Sequence, residues 1–207
     1  MKEINLRIHG EYIIKRRTDC NGKFSKYSDQ LCRNYLKEDF FNICGYCGKP
    51  MELLKARAQI DHFIPKDFAP SKENDYSNLV YSCQKCNRGK WHHWPTQCVE
   101  YSYNEKEGFV DPATKEFDLH LERLDSGEII GITEVGRYMV EKMRLDIRPI
   151  SIMWKVDVLN RKLEKIANII KRLPEEPNLI ELYRGYIDAS EQLKHSLNVL
   201  YNQNESM

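Results

Sequence analysis

The spacing of hydrophobic residues predicts helices most clearly in the C-terminal part of the chain. Apolar side chains recur every three or four positions through 156–173, and the same period returns through 179–200. Such a period places the apolar side chains on one face of an α-helix. Pro174 and Pro177 separate the two stretches, so residues 151–207 are predicted to form a helical hairpin. Its apolar stripe is typical of a core or of an oligomer interface, and less often of a surface that binds another partner.

Two further helices and a short strand are predicted in the rest of the chain. Residues 28–42 have a helical period, and residues 134–145 are predicted to form a helix that ends before Pro149. Alternation of polar and apolar residues through 58–64, ended by Pro65, indicates a β-strand. Helices and strands thus follow one another without a βαβ repeat, and the fold class is predicted to be α+β.

Composition and charge limit the classes of protein that fit this pattern. Of the 207 residues, 41% are hydrophobic and 30% are charged, as in soluble globular proteins. No segment approaches the roughly 20 apolar residues that a membrane helix needs, and Met1–Gly10 is too polar for a secretory signal. A cytoplasmic location without membrane contact is therefore expected. A net charge of +1 argues against a non-specific DNA-coating protein, so nucleic-acid binding would depend on local basic patches, at 85–93 and 155–172.

Four of the seven cysteines form two C-x-x-C pairs, Cys44–Cys47 and Cys83–Cys86. Two such knuckles supply the four thiolates of a structural zinc site. A thioredoxin-like motif would account for one pair only, and an odd number of cysteines argues against a complete disulfide framework. An iron–sulfur cluster remains an alternative. The other three cysteines, which have no partner at a suitable spacing, are interpreted as ordinary thiols: Cys20, Cys32 and Cys98.

The residues within and after this cysteine frame resemble a known family. Asp61-His62, then Asn78-Leu79, then Asn87 and Lys90 beside the second knuckle are similar to the signature of zinc-containing HNH endonucleases. The resemblance covers about residues 40–95 and implies a small ββα-metal core. Any one of these side chains alone fits an ordinary turn, cap or core position. Together, inside two zinc knuckles, they favour a nuclease.

The resemblance implies a role for each residue of the signature. His62 would be the general base that activates water, and Asp61 and Asn87 would hold a catalytic Mg²⁺ or Mn²⁺. Asn78 would orient the His62 imidazole through a hydrogen bond. These roles suit phosphodiester hydrolysis, because a hard cation prefers oxygen ligands and a histidine is a base near neutral pH. The four thiolates would leave zinc no open position, so zinc would be purely structural.

Several residues near the signature are candidates for contacts with nucleic acid. Lys66, Arg88 and Lys90 are predicted to bind phosphates, and Trp91 and Trp94 could stack on bases. Nothing in the sequence separates DNA from RNA as the substrate. A non-catalytic zinc module that binds nucleic acid or protein is the alternative to a nuclease, although such a module has no reason to carry the Asp-His and two-Asn set.

A looser resemblance extends beyond the signature, over residues 25–165. The segments 109–112 and 124–130 and the later Leu145-Asp146 are similar to HNH proteins that serve as nuclease subunits in Septu-type bacterial anti-phage defence. That resemblance implies that the nuclease works in a complex with an ABC-type ATPase that controls it. DNA is the expected substrate, and an RNA-directed nuclease is the alternative. The low net charge suits a nuclease that obtains part of its DNA affinity from a partner.

The predicted organisation has four parts. Residues 1–27 are an N-terminal arm, and residues 28–98 are the HNH nuclease core with its zinc knuckles. Residues 99–150 are a loop-rich extension with one helix, and residues 151–207 are the C-terminal helical hairpin, through which the protein could form oligomers.

Overall fold

A computed structural model describes residues 7–20, 23–52, 57–172 and 178–204, without the side chains of 148–149 and 200–204. The chain divides into two compact units, residues 1–147 and 148–207. Mixed helices and two small sheets make up the first unit, and helices make up the second. The α+β class predicted from the sequence is therefore confirmed.

The first helix and the first hairpin carry the cysteine frame. Helix α1, Gln30–Asp39, buries Cys32 and Leu36 and leads into the first knuckle. Strand β1, Gln59–His62, pairs antiparallel with β2, Leu79–Ser82, in a register that puts Asp61 opposite Val80. All four residues of β2 are buried, which explains why its sequence does not alternate. Helix α2, Gln84–Lys90, follows β2 directly, so β1, β2 and α2 form a ββα unit.

A second small hairpin and a helix complete the first unit. The short helix α3, Phe117–His120, leads into strand β3, Leu121–Arg123, which pairs with β4, Ile129–Gly131. Helix α4, Glu134–Met143, begins at Thr133, whose hydroxyl accepts a hydrogen bond from the Gly136 N–H. It packs on α2 where Gly89 faces Met143: a Cβ on Gly89 would lie 2.8 Å from the Met143 backbone. Only glycine lets the two helices approach this closely.

Three basic side chains, of which His9 and Arg123 are buried, tie the N-terminal segment to the rest of the unit. Arg16 pairs with both carboxylate oxygens of Asp111 and donates to the Leu79 carbonyl. Arg123, fully buried, donates to the carbonyls of Ile8 and Cys47. His9 packs flat against Phe117, and its Nε2 lies 2.5 Å from the Gly45 carbonyl oxygen. The described residues between 7 and 20 thus brace the first knuckle and β2.

The end of α4 differs in one respect from the sequence prediction. The helix ends at Met143 because Arg144 adopts a left-handed conformation, with φ 52°. Pro149 does not stop this helix; it is the second residue of the next one, α5, Arg148–Arg172. Proline is tolerated in a first helical turn, where the backbone N–H it lacks would have no intrahelical partner.

The second unit consists of two long helices. Helix α5 packs along α6, Leu179–Asn204, so both predicted C-terminal helices are present. Pro174 and Pro177, predicted to separate them, lie outside the described residues. Of the helices described, none is long and apolar enough to cross a membrane.

Candidate active site

The four cysteines of the two knuckles meet at one buried point. The sulfur atoms of Cys44, Cys47, Cys83 and Cys86 lie within 4.8 Å of one another. A zinc–sulfur bond is about 2.3 Å long, so thiolates around a tetrahedral zinc ion lie roughly 3.8 Å apart. The Cys83 backbone N–H also donates to the Cys44 sulfur over 3.3 Å. The cluster fits a zinc site, as the sequence predicted.

The other three cysteines lie outside this cluster. Cys20 and Cys32 are buried, and burial raises the pKa of the Cys32 thiol to about 12. The Cys98 sulfur contacts the Glu100 carboxylate over 2.8 Å. None of them belongs to a group of metal ligands among the described residues, which agrees with their interpretation as ordinary thiols.

Asp61 lies on the buried side of β1 and is held from inside the protein. Tyr46, between the first two cysteines, donates its hydroxyl to Asp61 Oδ2 over 2.5 Å. The Lys90 ammonium lies 3.1 Å from the same oxygen. Burial raises the pKa of the Asp61 carboxyl, and the charge of Lys90 opposes that shift. Burial also raises the pKa of Tyr46, which keeps its hydroxyl protonated as a donor.

His62 has a fixed tautomer because its Nε2 atom faces a backbone carbonyl. Nε2 lies 2.8 Å from the Glu73 oxygen. A carbonyl oxygen only accepts hydrogen bonds, so Nε2 carries the proton and Nδ1 is the unprotonated nitrogen of the neutral ring. The Tyr27 ring packs edge-on against the imidazole, with centroids 4.6 Å apart. The basic nitrogen of His62 is therefore Nδ1.

Asn78 does not orient His62 by the direct hydrogen bond that the sequence analysis expected. Its side chain is buried and pairs with the Ile64 backbone, accepting from the N–H over 2.8 Å and donating to the carbonyl over 3.0 Å. It also lies 3.4 Å from the Lys72 carbonyl. The prediction is wrong because both amide hydrogens and the amide oxygen face the backbone. Asn78 instead binds the backbone at Ile64 and Lys72, at the two ends of the segment that leads to Glu73, whose carbonyl contacts the His62 ring.

A cleft of about 330 Å³ runs along β1 and α2. Asn87, on α2, donates its Nδ2 to Gln59 Oε1 over 2.7 Å, which leaves its own Oδ1 out of that hydrogen bond. The cleft brings together three of the four predicted signature side chains, but not Asn78. Its lining consists of Gln59, Ile60, Asp61, His62, Pro65, Lys66, Asn87, Arg88, Trp91 and His92.

The donor set at this cleft suits a hard divalent cation. Asp61 offers a carboxylate and Asn87 an amide oxygen, and Mg²⁺ and Mn²⁺ prefer oxygen ligands. A carboxylate has about four lone-pair sites, so the contacts from Tyr46 and Lys90 do not use up Asp61. These two residues fit the predicted ligand role, and the nature of any ion stays a prediction.

The three lysines and arginines predicted to bind phosphates have different positions. Arg88 and Lys66 are both exposed and line the cleft, and the Lys66 ammonium lies 3.6 Å from Glu73 Oε1. Lys90 is fully buried: it pairs with Asp61 and donates to the His62 carbonyl over 2.8 Å. Its predicted role as a phosphate contact is wrong, because no part of its ammonium reaches the surface.

The two tryptophans that could stack on bases also differ in exposure. Trp91 is 62% exposed and lines the cleft, whereas Trp94 is 3% exposed and packs edge-on against Phe63. The Trp94 indole N–H donates to the Cys98 carbonyl. Trp94 is therefore a core residue, and only Trp91 of this pair faces the cleft.

Sequence analysis did not identify Tyr46, Gln59 or Glu73 as parts of the site. Gln59 precedes Asp61 by two positions on the same strand, so its side chain is predicted on the same face, and this signal could have been used. Tyr46 stands between two ligand cysteines, which indicates burial but not its partner. Glu73 contributes a backbone atom, for which a sequence carries no signal.

The ββα unit framed by four cysteines, with a histidine, a carboxylate and an amide at one cleft, is the arrangement that the HNH resemblance predicted. Residues 44–92 match the family model described as HNH endonuclease. The resemblance inferred from the motifs is thereby confirmed for this part of the chain.

Two curated proteins similar to this chain carry the name Septu protein PtuB. One, from Bacillus mycoides (strain KBAB4), is 29% identical over 54% of this chain and 44% of its own length. The other, from Bacillus thuringiensis, is 35% identical over 25% of this chain and 20% of its own length. The chain thus spans less than half the length of either relative. No solved structure matches it.

Proposed function

We propose that this protein is a divalent-metal-dependent HNH endonuclease that hydrolyses phosphodiester bonds of DNA in bacterial anti-phage defence. The observation that carries the proposal is the hydrogen bond from His62 Nε2 to the Glu73 carbonyl. This hydrogen bond leaves Nδ1 as the unprotonated nitrogen of the ring, and the His62 side chain lines the same cleft as Asp61 and Asn87. A base, a carboxylate and an amide oxygen at one cleft are what metal-aided phosphodiester hydrolysis requires.

His62 has the chemistry of a general base in this reaction. Its Nδ1 takes a proton from the attacking water, while the Glu73 carbonyl stabilises the imidazolium that forms by keeping its bond to Nε2–H. General bases of this kind contribute about 10²- to 10⁴-fold to rate. Tyr27 restricts the ring on another side, so the nitrogen keeps its direction between turnovers.

Asp61 and Asn87 are the proposed protein ligands of the catalytic ion. Magnesium or manganese held by these two residues would neutralise charge on the phosphate and on the leaving oxygen. Lys90 and Tyr46 fix the carboxylate, and Gln59 fixes the amide. The ligands are thereby held in place before any ion binds, which reduces the entropy lost on binding.

The remaining groups of the site have supporting roles. Arg88 and Lys66, at the cleft, are proposed to bind substrate phosphates. The four thiolates leave zinc no free position, so the zinc is structural and clamps the knuckles around β2.

The defence context and the partner are proposed from the relatives. Both are named Septu proteins, and the sequence resemblance adds an ABC-type ATPase as a regulatory subunit. A net charge of +1 supports a nuclease that gains affinity for DNA from such a subunit. A cytoplasmic location follows from this assignment.

Cleavage assays with matched histidine variants test the proposal. Purified protein is incubated with plasmid DNA and with a structured RNA, with and without Mg²⁺ or Mn²⁺, alone and with the co-expressed ATPase. His62→Ala is expected to abolish metal-dependent cutting, whereas His93→Ala, an exposed histidine that does not line the cleft, retains it. Cleavage of the RNA but not of the DNA would show that the substrate is RNA. Equal activity in His62→Ala and the wild type would refute the proposed site.

A further inference from the structure

Trp91 presents an indole to solvent at the edge of the cleft. It is the residue directly after α2, it lines the cleft with Arg88 and His92, and it is 62% exposed. Trp94, three residues later, is 3% exposed. The same short segment therefore buries one tryptophan in the core and leaves the other at the surface, against the hydrophobic tendency of so large a side chain.

The Trp91 backbone is also in a conformation that non-glycine residues rarely adopt. Its φ is 47° and its ψ is −138°, and its N–H donates to the Asn87 carbonyl over 2.9 Å. Residues in such regions are strained, and they occur often at ligand-binding positions. Trp91 lines the same cleft as Asn87, which is a proposed ligand of the catalytic ion.

The neighbours of Trp91 include polar and charged side chains. His92 contacts the indole with ring planes 87° apart and centroids at 5.1 Å, and its Nδ1 lies 2.9 Å from Asp67 Oδ2. This contact supports the indole without a parallel ring, and among the described residues no ring stacks flat on it. The cationic Arg88 and Lys66 share the cleft.

We infer that Trp91 is a stacking platform for a nucleobase that is unstacked from its neighbours, next to the phosphate bound in the cleft. A flat indole beside cationic side chains matches the two parts of a nucleotide, since the base offers a π-face and the phosphate a charge. An apolar peptide would match the indole but not the cations. The inference rests on the proposed function and adds a preference for single-stranded, frayed or flipped substrates.

Binding and fluorescence measurements test the inference without cleavage. The background is His62→Ala with no added divalent ion, and the probes are a labelled single-stranded DNA, the same sequence as RNA, and the blunt DNA duplex. Trp91→Ala is expected to weaken single-strand binding roughly tenfold or more and duplex binding much less. Trp91→Phe keeps a ring and most of the affinity, but it removes the quenching of tryptophan emission that accompanies binding. Tyr101→Ala, which removes a ring that is 70% exposed and does not line the cleft, leaves both affinities unchanged.

Each other outcome has a defined meaning. Unchanged single-strand affinity in Trp91→Ala would overturn the inference alone, and so would an equal loss for the single strand and the duplex. Emission that is quenched as strongly in Trp91→Phe as in the parent would also overturn it. Binding is measured for the chain alone and with the co-expressed ATPase; if the parent protein bound none of the three probes in either form, the proposed function itself would be contradicted, and this inference with it.

Discussion

Lys90 and Asp61 form an ion pair in the interior, with Nζ 3.1 Å from Oδ2 and the lysine side chain fully buried. The same ammonium donates to the His62 carbonyl over 2.8 Å. Lys90 ends α2, and Asp61 and His62 end β1. One side chain therefore joins the strand that carries the proposed base to the helix that carries Asn87. Its proposed contribution to activity is to hold these two elements in register.

Replacing Lys90 by methionine is expected to destabilise the protein strongly. The substitution leaves the Asp61 carboxylate buried without its cation, and breaking one partner of a buried pair costs about 3–5 kcal/mol. Thermal and urea unfolding of Lys90→Met measure this loss. Lys66→Met, at an exposed cleft position, is the matched control and should change stability by less than about 0.5 kcal/mol. A stable Lys90→Met protein with weakened nucleic-acid binding would contradict the buried role and support the phosphate contact that the sequence suggested.

Zinc content should depend on the clustered cysteines alone. Metal analysis of the purified wild type is expected to give about one zinc per chain, and Cys86→Ser should lose the metal together with the cooperative unfolding of the first unit. Cys98→Ser, outside the cluster, should keep both. Iron in place of zinc would identify an iron–sulfur cluster instead. Retention of full zinc by Cys86→Ser would contradict the four-cysteine site.

Asn78→Ala should lower activity without removing any ligand of the catalytic ion. Its amide holds the Ile64 backbone, so its loss leaves buried backbone groups unpaired at a cost of about 1–3 kcal/mol and frees the loop that positions Glu73. The turnover rate is expected to fall, while the Mg²⁺ concentration for half-maximal activity stays the same. A large rise in that concentration would instead make Asn78 a metal ligand.

Stability should fall in mild acid because of His9. Burial lowers the pKa of His9 from its ordinary 6.5 to about 4 in the folded protein, so between these values the unfolded chain binds the proton more readily. Above pH 6.5 the buried, neutral His9 therefore costs no stability. Near pH 5 it lowers the free energy of unfolding by about 2 kcal/mol.

His9→Gln is the matched variant for this test, because an amide can donate to the Gly45 carbonyl without titrating. Melting temperatures of both proteins are compared near pH 7.5 and pH 5, and any zinc loss in acid acts on both. The wild type is expected to lose more. An equal decrease in the two proteins would exclude His9 as the cause.

The sequence predicted those parts of the molecule that follow from local spacing. Hydrophobic residues that recur every three or four positions identified α1, α4 and the two C-terminal helices. The two C-x-x-C pairs identified the cluster of four cysteines. The cleft also brings together His62, Asp61 and Asn87, which the resemblance to HNH endonucleases, rather than local spacing, had singled out as a set. Local spacing predicts a helix face or a single knuckle because each involves residues only a few positions apart.

The remaining features depend on contacts that no local pattern contains. Lys90 has the composition of a surface residue, but it is buried beneath the ring of Phe109 and against Asp61. The partner of His62 is a backbone oxygen eleven positions away, and any residue type could have supplied it. Asn78 could be predicted near the histidine, but the atoms it pairs with could not.

Chemical rescue of His62→Gly tests the central claim most directly. The rate of metal-dependent cleavage is measured under single-turnover conditions, with and without added imidazole, in the wild type and the glycine variant. We predict that the variant loses about 10²-fold or more in rate and that imidazole restores part of it, with no effect on the wild type. Cleavage by His62→Gly at the wild-type rate without imidazole would contradict the account.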